Sequence, residues 1–268
     1  MTELGILQKG MNVNGQEILY FENGNKKYEG ELLDNKRHGN GISYYEAGNK
    51  QYEGRWLNDI YHGNGIYYYE TGNKKYEGEW QNNKYHGNGT YYYENGIVMY
   101  EGEWQNDNCH GNGTYSKKET NKYKNEWQYK GYWQNNKRNG NGILYNENGT
   151  KSYEGYWQND KCHGYGTSYF KNETKKYEGE WQNDKYHGNG TYYYENGIKS
   201  YKGYWQNDKC HGKGTYYEYG LKSYKGYWQN DIKHGYGILY HDNGNIKHEG
   251  EWHNDKYNDK ETETETKK

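Results

Sequence analysis

The chain reads as all-β: an elongated repeat array of antiparallel β-hairpins forming a twisted single-sheet rod. Three observations predict it. A core Tyr-Glu/Lys-Gly-x-Trp returns with first residues at Tyr52, Tyr76, Tyr100, Tyr129, Tyr153, Tyr177, Tyr201 and Tyr224, with Leu32 standing for the Trp in the copy at Tyr28 and His248 for the Tyr in the last copy. The spacing is 24 residues, except 29 between Tyr100 and Tyr129 and 23 between Tyr201 and Tyr224. A fixed period of this size marks a repeat architecture. Within each period the local signals are those of strands and tight turns, with no helix signal. Finally, only 30% of the residues are apolar, yet 39 are Tyr and 10 are Trp. That is too little aliphatic material for one large core, so each repeat is expected to carry a thin aromatic segment of a long one.

One copy, Tyr177 to Gly197, illustrates the elements in order. Lys-Lys-Tyr-Glu-Gly-Glu-Trp forms a first strand that places Tyr177, Gly179 and Trp181 on one face. The polar stretch Gln-Asn-Asp-Lys-x-His-Gly is expected to be its loop. A second strand follows, in which Ile or Thr stands two residues before a Tyr (Ile42/Tyr44, Ile66/Tyr68, Thr90/Tyr92, Thr191/Tyr193), a period-two pattern of strand formers. Glu-Asn-Gly, as at Glu195-Asn196-Gly197, then closes a hairpin, because Gly accepts a positive φ. Two registers are open at this turn. A two-residue Asn-Gly turn sets the Tyr of Tyr-Glu-Gly opposite the variable position (Ser43, Tyr67, Leu144). A three-residue loop with a bulged Gly sets it opposite the β-branched one (Ile42, Ile66, Ile143). The second keeps the recurrent positions on one face and is favoured.

The glycines carry a steric expectation. Tyr52, Gly54 and Trp56, then Tyr76, Gly78 and Trp80, Tyr100, Gly102 and Trp104, and Tyr177, Gly179 and Trp181 are the structural core. Each Gly leaves a slot between its two aromatic neighbours for a ring to pack. The Gly-x-Gly after the His permits close approach or a bulge.

Residues 1–14 form a lead-in and 15–27 a half-repeat, since Gly15 to Lys27 matches Gly39 to Gln51. Units then start at 28, 52, 76, 100, 129, 153, 177, 201, 224 and 248, so the array spans 15–257. An insertion, Lys117 to Gln128, adds the off-pattern Trp127. The tail 258–268 is charged and non-periodic, and is expected to be disordered.

These residues resemble the MORN repeat family (membrane occupation and recognition nexus), whose pattern is Tyr-Glu-Gly-x-Trp, a short polar loop and His-Gly-x-Gly. The family unit is typically a residue shorter than the one here. The hairpin Tyr-Tyr-Glu-Asn-Gly-Asn-Lys-Lys is similar to variant repeats of some bacterial antitoxin-like proteins. The resemblance implies a row of β-hairpins in a twisted antiparallel sheet, and a scaffold that binds proteins, self-associates or sits at membrane contacts.

With 35 basic against 37 acidic residues the net charge is −2. That charge provides no long-range attraction to nucleic acid and does not favour an anionic lipid surface. The first residues hold no apolar leader and no stretch is long enough for a spanning helix, so a cytoplasmic, intracellular location is expected. Cys109, Cys162 and Cys210 all precede the repeat His. Stacked repeats would hold them roughly 19 Å or more apart, so reduced thiols are expected. The repeat His (His38, His62, His86, His110, His163, His187, His211, His234) stands alone in each unit, about 10 Å from the next, which suits a loop-anchoring hydrogen bond better than a shared metal. Glu and Lys flanking the hairpin tips (Glu70 with Lys74 and Lys75; Glu195 with Lys199) are expected to form cross-strand rows that guide register.

No nucleophile, paired acid and base, or phosphate loop comes together, so a non-enzymatic protein without a cofactor or metal is expected. The candidate interaction surface is the tyrosine set beyond the core: Tyr67, Tyr69, Tyr91, Tyr93, Tyr132, Tyr156, Tyr192, Tyr194, Tyr204 and Tyr227. Tyr offers contact area and a polar tip at low entropic cost. The expected function is a scaffold for protein–protein interaction or assembly, with self-association possible through exposed strand edges. The alternatives are a peripheral phospholipid-binding module and an antitoxin-like binder of a single protein.

Overall fold

The structure, a computed structural model, describes residues 9–11, 16–117 and 127–258. Most of the lead-in, the middle of the insertion and the tail from 259 onward lie outside the described residues. Every regular element among the described residues is a strand, as the repeat reading anticipates. No helix there is long and apolar enough to cross a membrane.

The chain divides into two compact units, Met1–Lys137 and Arg138–Lys268. In the first, strands from Lys9–Met11 to Trp127–Gln134 each pair antiparallel with the next in sequence. In the second, strands from Lys137–Tyr145 to Lys256–Tyr257 do the same. Each unit is thus an antiparallel meander built only from local pairings.

The repeat at Tyr177 shows the two turns that generate it. Its first strand, Lys175–Gln182, and second strand, Lys185–Tyr193, are joined by Asn183 and Asp184 alone, with φ of 52° and 68°. Both residues are left-handed, the requirement of a two-residue type I′ hairpin, and Asn and Asp tolerate it best among non-glycines. The polar stretch expected as a longer loop is therefore mostly strand. The other turn is a three-residue loop: the Tyr194 amide donates to the Ile198 carbonyl and the Gly197 amide to the Tyr194 carbonyl, both at 2.8 Å, with Gly197 at φ 82°.

The expected loop is therefore present, but the register expected from it is not. Tyr52 lies opposite Ser43, Tyr76 opposite Tyr67 and Tyr153 opposite Leu144, the variable position. The cause is a second irregularity. Between Tyr192 and Tyr193 the ladder steps from Tyr201 to Lys199, leaving Ser200 as an extra residue. Such a bulge cancels the offset of the odd-numbered loop and carries the β-branched residues to the other face, opposite the Glu of Tyr-Glu-Gly.

The core is a one-dimensional aromatic ladder. Tyr52, Tyr76, Tyr100 and Tyr177 are fully buried and Trp56, Trp80, Trp104 and Trp181 nearly so. Trp181 meets Tyr177 of its own repeat edge-on at 5.2 Å, and Tyr153 of the preceding repeat at 5.1 Å. Each such pair contributes about 0.5–1.5 kcal/mol beyond its burial. The Trp181 indole also donates to the Gly166 carbonyl of that preceding repeat at 3.0 Å, a bond repeated by Trp56 with Gly41 and Trp104 with Gly89.

The glycine slots are filled by the ring of the same strand. Gly179 faces Gly190 across the ladder. A Cβ added at Gly179 would sit 2.5 Å from the Gly190 Cα and 2.6 Å from the Asn189 carbonyl. One added at Gly190 would strike the Tyr177 phenol. That ring lies across the glycine pair and donates to the Glu180 carbonyl at 2.9 Å and the His187 carbonyl at 3.2 Å. Gly54, Gly78 and Gly102 meet the same contacts in their own repeats.

Candidate interaction surface

Because side chains alternate across a strand, each sheet has an aromatic face, described above, and an opposite polar face. On the polar face of the first unit a row runs across the strands through Ile18, Glu29, Ile42, Glu53, Ile66, Glu77, Thr90, Glu101, Thr114 and Lys130. In the second unit the corresponding row is Ile143, Glu154, Thr167, Glu178, Thr191, Lys202, Thr215, Lys225, Ile238 and Glu249. Most of these carboxylates are neutralised along the strand. Lys74 reaches Glu77 at 2.7 Å, and Lys151 reaches Glu154 at 2.8 Å. Lys74 thus pairs with Glu77 three residues on, instead of with Glu70 across the tip. Lys75 lies over the rings of Tyr67 and Tyr69 at 5.5 and 5.3 Å.

The ten candidate tyrosines separate into three environments. Tyr67, Tyr91 and Tyr192 belong to the aromatic face, their rings 6.0, 6.1 and 6.2 Å from those of Trp80, Trp104 and Trp205. Tyr69, Tyr93 and Tyr194 stand at the hairpin tips and donate to carbonyls of the next hairpin: Tyr69 to Tyr92 at 2.9 Å, Tyr93 to Ser116 at 3.2 Å and Tyr194 to Tyr217 at 3.4 Å. Burial pushes the Tyr69 phenol well above the ordinary range. Tyr132, Tyr156, Tyr204 and Tyr227 precede the repeat Trp, project from the polar face and are exposed.

Two further tyrosines join this last group. Tyr165 and Tyr236, the middle residues of their Gly-x-Gly, are 62% and 50% exposed. The register places Tyr165 opposite Glu180 and Tyr236 opposite Glu251, the position that Tyr156 and Tyr204 take in other repeats. Sequence reading missed them, although the signal was available: most repeats carry Asn at that position (Asn40, Asn64, Asn88, Asn112, Asn141, Asn189).

The residue before the repeat His also has a defined place. Tyr186 stacks on Tyr177 with centroids 3.9 Å apart and planes at 15°, as Tyr61 does on Tyr52. Arg37 lies over Trp56 at 4.0 Å instead. Cys109, Cys162 and Cys210 occupy the same position with free thiols. Burial pushes the Cys109 and Cys162 thiols up to about 12, which leaves them protonated and poorly nucleophilic. The repeat His differs from expectation. Nδ1 of His38, His86, His110, His163, His187 and His211 is buried and makes no hydrogen bond among the described residues. The anchoring bond runs through the main chain instead, as in the Tyr177 phenol to His187 carbonyl contact, because the Gly-Asn bulge after the His turns that carbonyl toward the core. No three His, Cys, Asp or Glu among the described residues come together as a metal site.

The family description MORN repeat matches residues 28–50, 52–74, 76–98, 100–118, 129–151, 153–175, 177–199, 201–217, 224–246 and 248–258. No curated protein matches the chain.

Proposed function

The chain belongs to the MORN repeat family, and on that premise we propose that it is a non-enzymatic scaffold that binds protein partners through the polar face of its sheets. The observation that carries this reading is the exposed set Tyr132, Tyr156, Tyr165, Tyr204, Tyr227 and Tyr236 on the polar face. The aromatic face is committed to the ladder and the tip tyrosines to stapling hairpins. These six keep their area for another molecule, and tyrosine is the residue type that interfaces favour. The first unit argues against a lipid plane as the main target. In its polar-face row Glu29, Glu53 and Glu77 are neutralised by Lys26, Lys50 and Lys74, and Glu101 stands against Lys130, which leaves no basic excess, whereas anionic lipid requires a basic surface.

A photo-crosslinking amino acid at Tyr156, Tyr165 or Tyr236 tests the reading, with Tyr91 on the aromatic face as the control. Discrete protein adducts from the first three positions and none from Tyr91 are expected. Flotation with anionic vesicles and no protein adduct from any position would replace the scaffold by a lipid-binding module.

A further inference from the structure

The polar face of the second unit changes sign at one place. Five repeats close a Lys–Glu pair along the strand at 2.7–2.9 Å. In the two consecutive repeats at Tyr201 and Tyr224 the Glu becomes Lys while the Lys three residues before it stays, giving Lys199 with Lys202 and Lys222 with Lys225. Lys213, where most repeats carry Asn, lies between them and faces Tyr227 across the ladder. None of these five lysines makes an ion pair among the described residues. Lys202 and Lys225 both pair with Thr215, two strands apart and so about 10 Å from each other.

Three of these lysines line one groove of about 530 Å³, together with Thr215, Tyr236 and Ile238. Tyr227 completes its wall, with the Lys213 ammonium 5.4 Å from its ring centroid. Tyr236 is held at the far side by its bond to the Glu249 carboxylate at 2.8 Å. The groove therefore combines unneutralised cations with aromatic and aliphatic walls.

We propose that this groove binds an acidic, extended segment of a partner protein, with carboxylates set on Lys202, Lys213 and Lys225 and apolar side chains against Tyr227, Tyr236 and Ile238. The proposal rests on the protein-binding reading above and names the chemistry of the partner. Charge complementarity selects an acid. The bounds of the patch select a single chain over a surface. Along the same row Glu178, already paired with Lys175 at 2.9 Å, and Glu249 bound the lysines, each two strands, or about 10 Å, away. A bilayer or a long polyanion lying on this face would meet those carboxylates, whereas one peptide strand fits between them. Acidic residues three apart in a segment extended as polyproline II, with three residues per turn, share one face about 9 Å apart, close to the separation of Lys202 from Lys225.

The repeats supply the test variants. Lys202→Glu with Lys225→Glu installs the residue that neighbouring repeats carry, so folding is retained while the patch reverses sign. Lys213→Asn likewise installs the commoner residue. Binding of a labelled oligo-glutamate peptide to the full chain is read by fluorescence anisotropy. The parent is expected to bind, the double variant about tenfold or more weakly, and Lys213→Asn roughly two- to fivefold more weakly. No binding by the parent, or equal binding by parent and double variant, would overturn the proposal. So would parent-specific flotation with phosphatidylserine vesicles in the absence of peptide binding. The two readings fail separately: adducts at Tyr156 and Tyr165 without peptide binding would remove this groove and leave the scaffold.

Discussion

Asp184 and Cys162, from successive repeats, close a reciprocal pair of hydrogen bonds. The Cys162 amide donates to Asp184 Oδ1 at 2.8 Å, and the Asp184 amide donates to the Cys162 carbonyl at 3.0 Å. Asp184 holds a left-handed φ of 68° to do so. The clasp recurs with Asp59 on Arg37, Asn83 on Tyr61, Asp208 on Tyr186 and Asp231 on Cys210. The second turn residue thus sets the hairpin and also ties its repeat to the one before.

Substitutions at Asp184 separate these two roles. Asp184→Ala loses the side-chain bond and strains the turn, and should cost about 2 kcal/mol. Asp184→Gly keeps the φ and loses only the bond, so about 1 kcal/mol is expected. Asp184→Asn should be nearly neutral, since Asn83 and Asn136 make the same clasp. Urea midpoints for the three variants check the order; equal losses for Ala and Gly would remove the strain contribution.

Gly179 has no room for a side chain, because the two nearest atoms it would meet are backbone and the third is the hydrogen-bonded Tyr177 phenol oxygen. Gly179→Val should destabilise its repeat by about 3 kcal/mol. Gly197, at φ 82° with nothing within 4 Å, provides the contrast: Gly197→Ala should cost only about 1 kcal/mol of left-handed strain. Thermal melts of both compare close approach with conformation, and parental melting of the Val variant would show that the slot yields.

Cys162 sits where Tyr186 stacks on Tyr177. Cys162→Tyr should place a ring on Tyr153 and stabilise the second unit by about 1 kcal/mol. An unchanged or lowered denaturant midpoint would mean that the ladder there does not accept the extra ring.

Alkali should unfold the protein cooperatively. Burial raises the Tyr52, Tyr76, Tyr100 and Tyr177 phenols well above the ordinary 10.0, and the Cys109 and Cys162 thiols to about 12 from 9.0. Below the ordinary values both states hold these protons, and the stability is fully present. Above them the unfolded chain releases protons that the folded chain keeps, so stability falls as pH rises past about 9 and then 10. The share of tyrosinate absorbance that belongs to the buried phenols should therefore appear in one step, together with the loss of β-sheet circular dichroism. Complete ionisation of the tyrosines with the sheet intact would show that the buried phenols titrate in place.

The sequence by itself determined the repeat, the all-β class and the identity of the core, because periodicity in Tyr, Gly and Trp is a property of the chain read along its length. It also showed where Gly must turn, since a positive φ is a local demand. Only the tertiary structure decided the register, because the bulge at Ser200 carries no composition signal and reverses the consequence of the loop before it. That register sorted the tyrosines: Tyr67 onto the Trp ladder, Tyr69 onto the next hairpin, Tyr156 out to solvent. It also brought Lys202, Lys213 and Lys225, which are scattered over 24 residues of sequence, onto one groove. A strand fixes which residues alternate, but the pairing between strands fixes which of them meet.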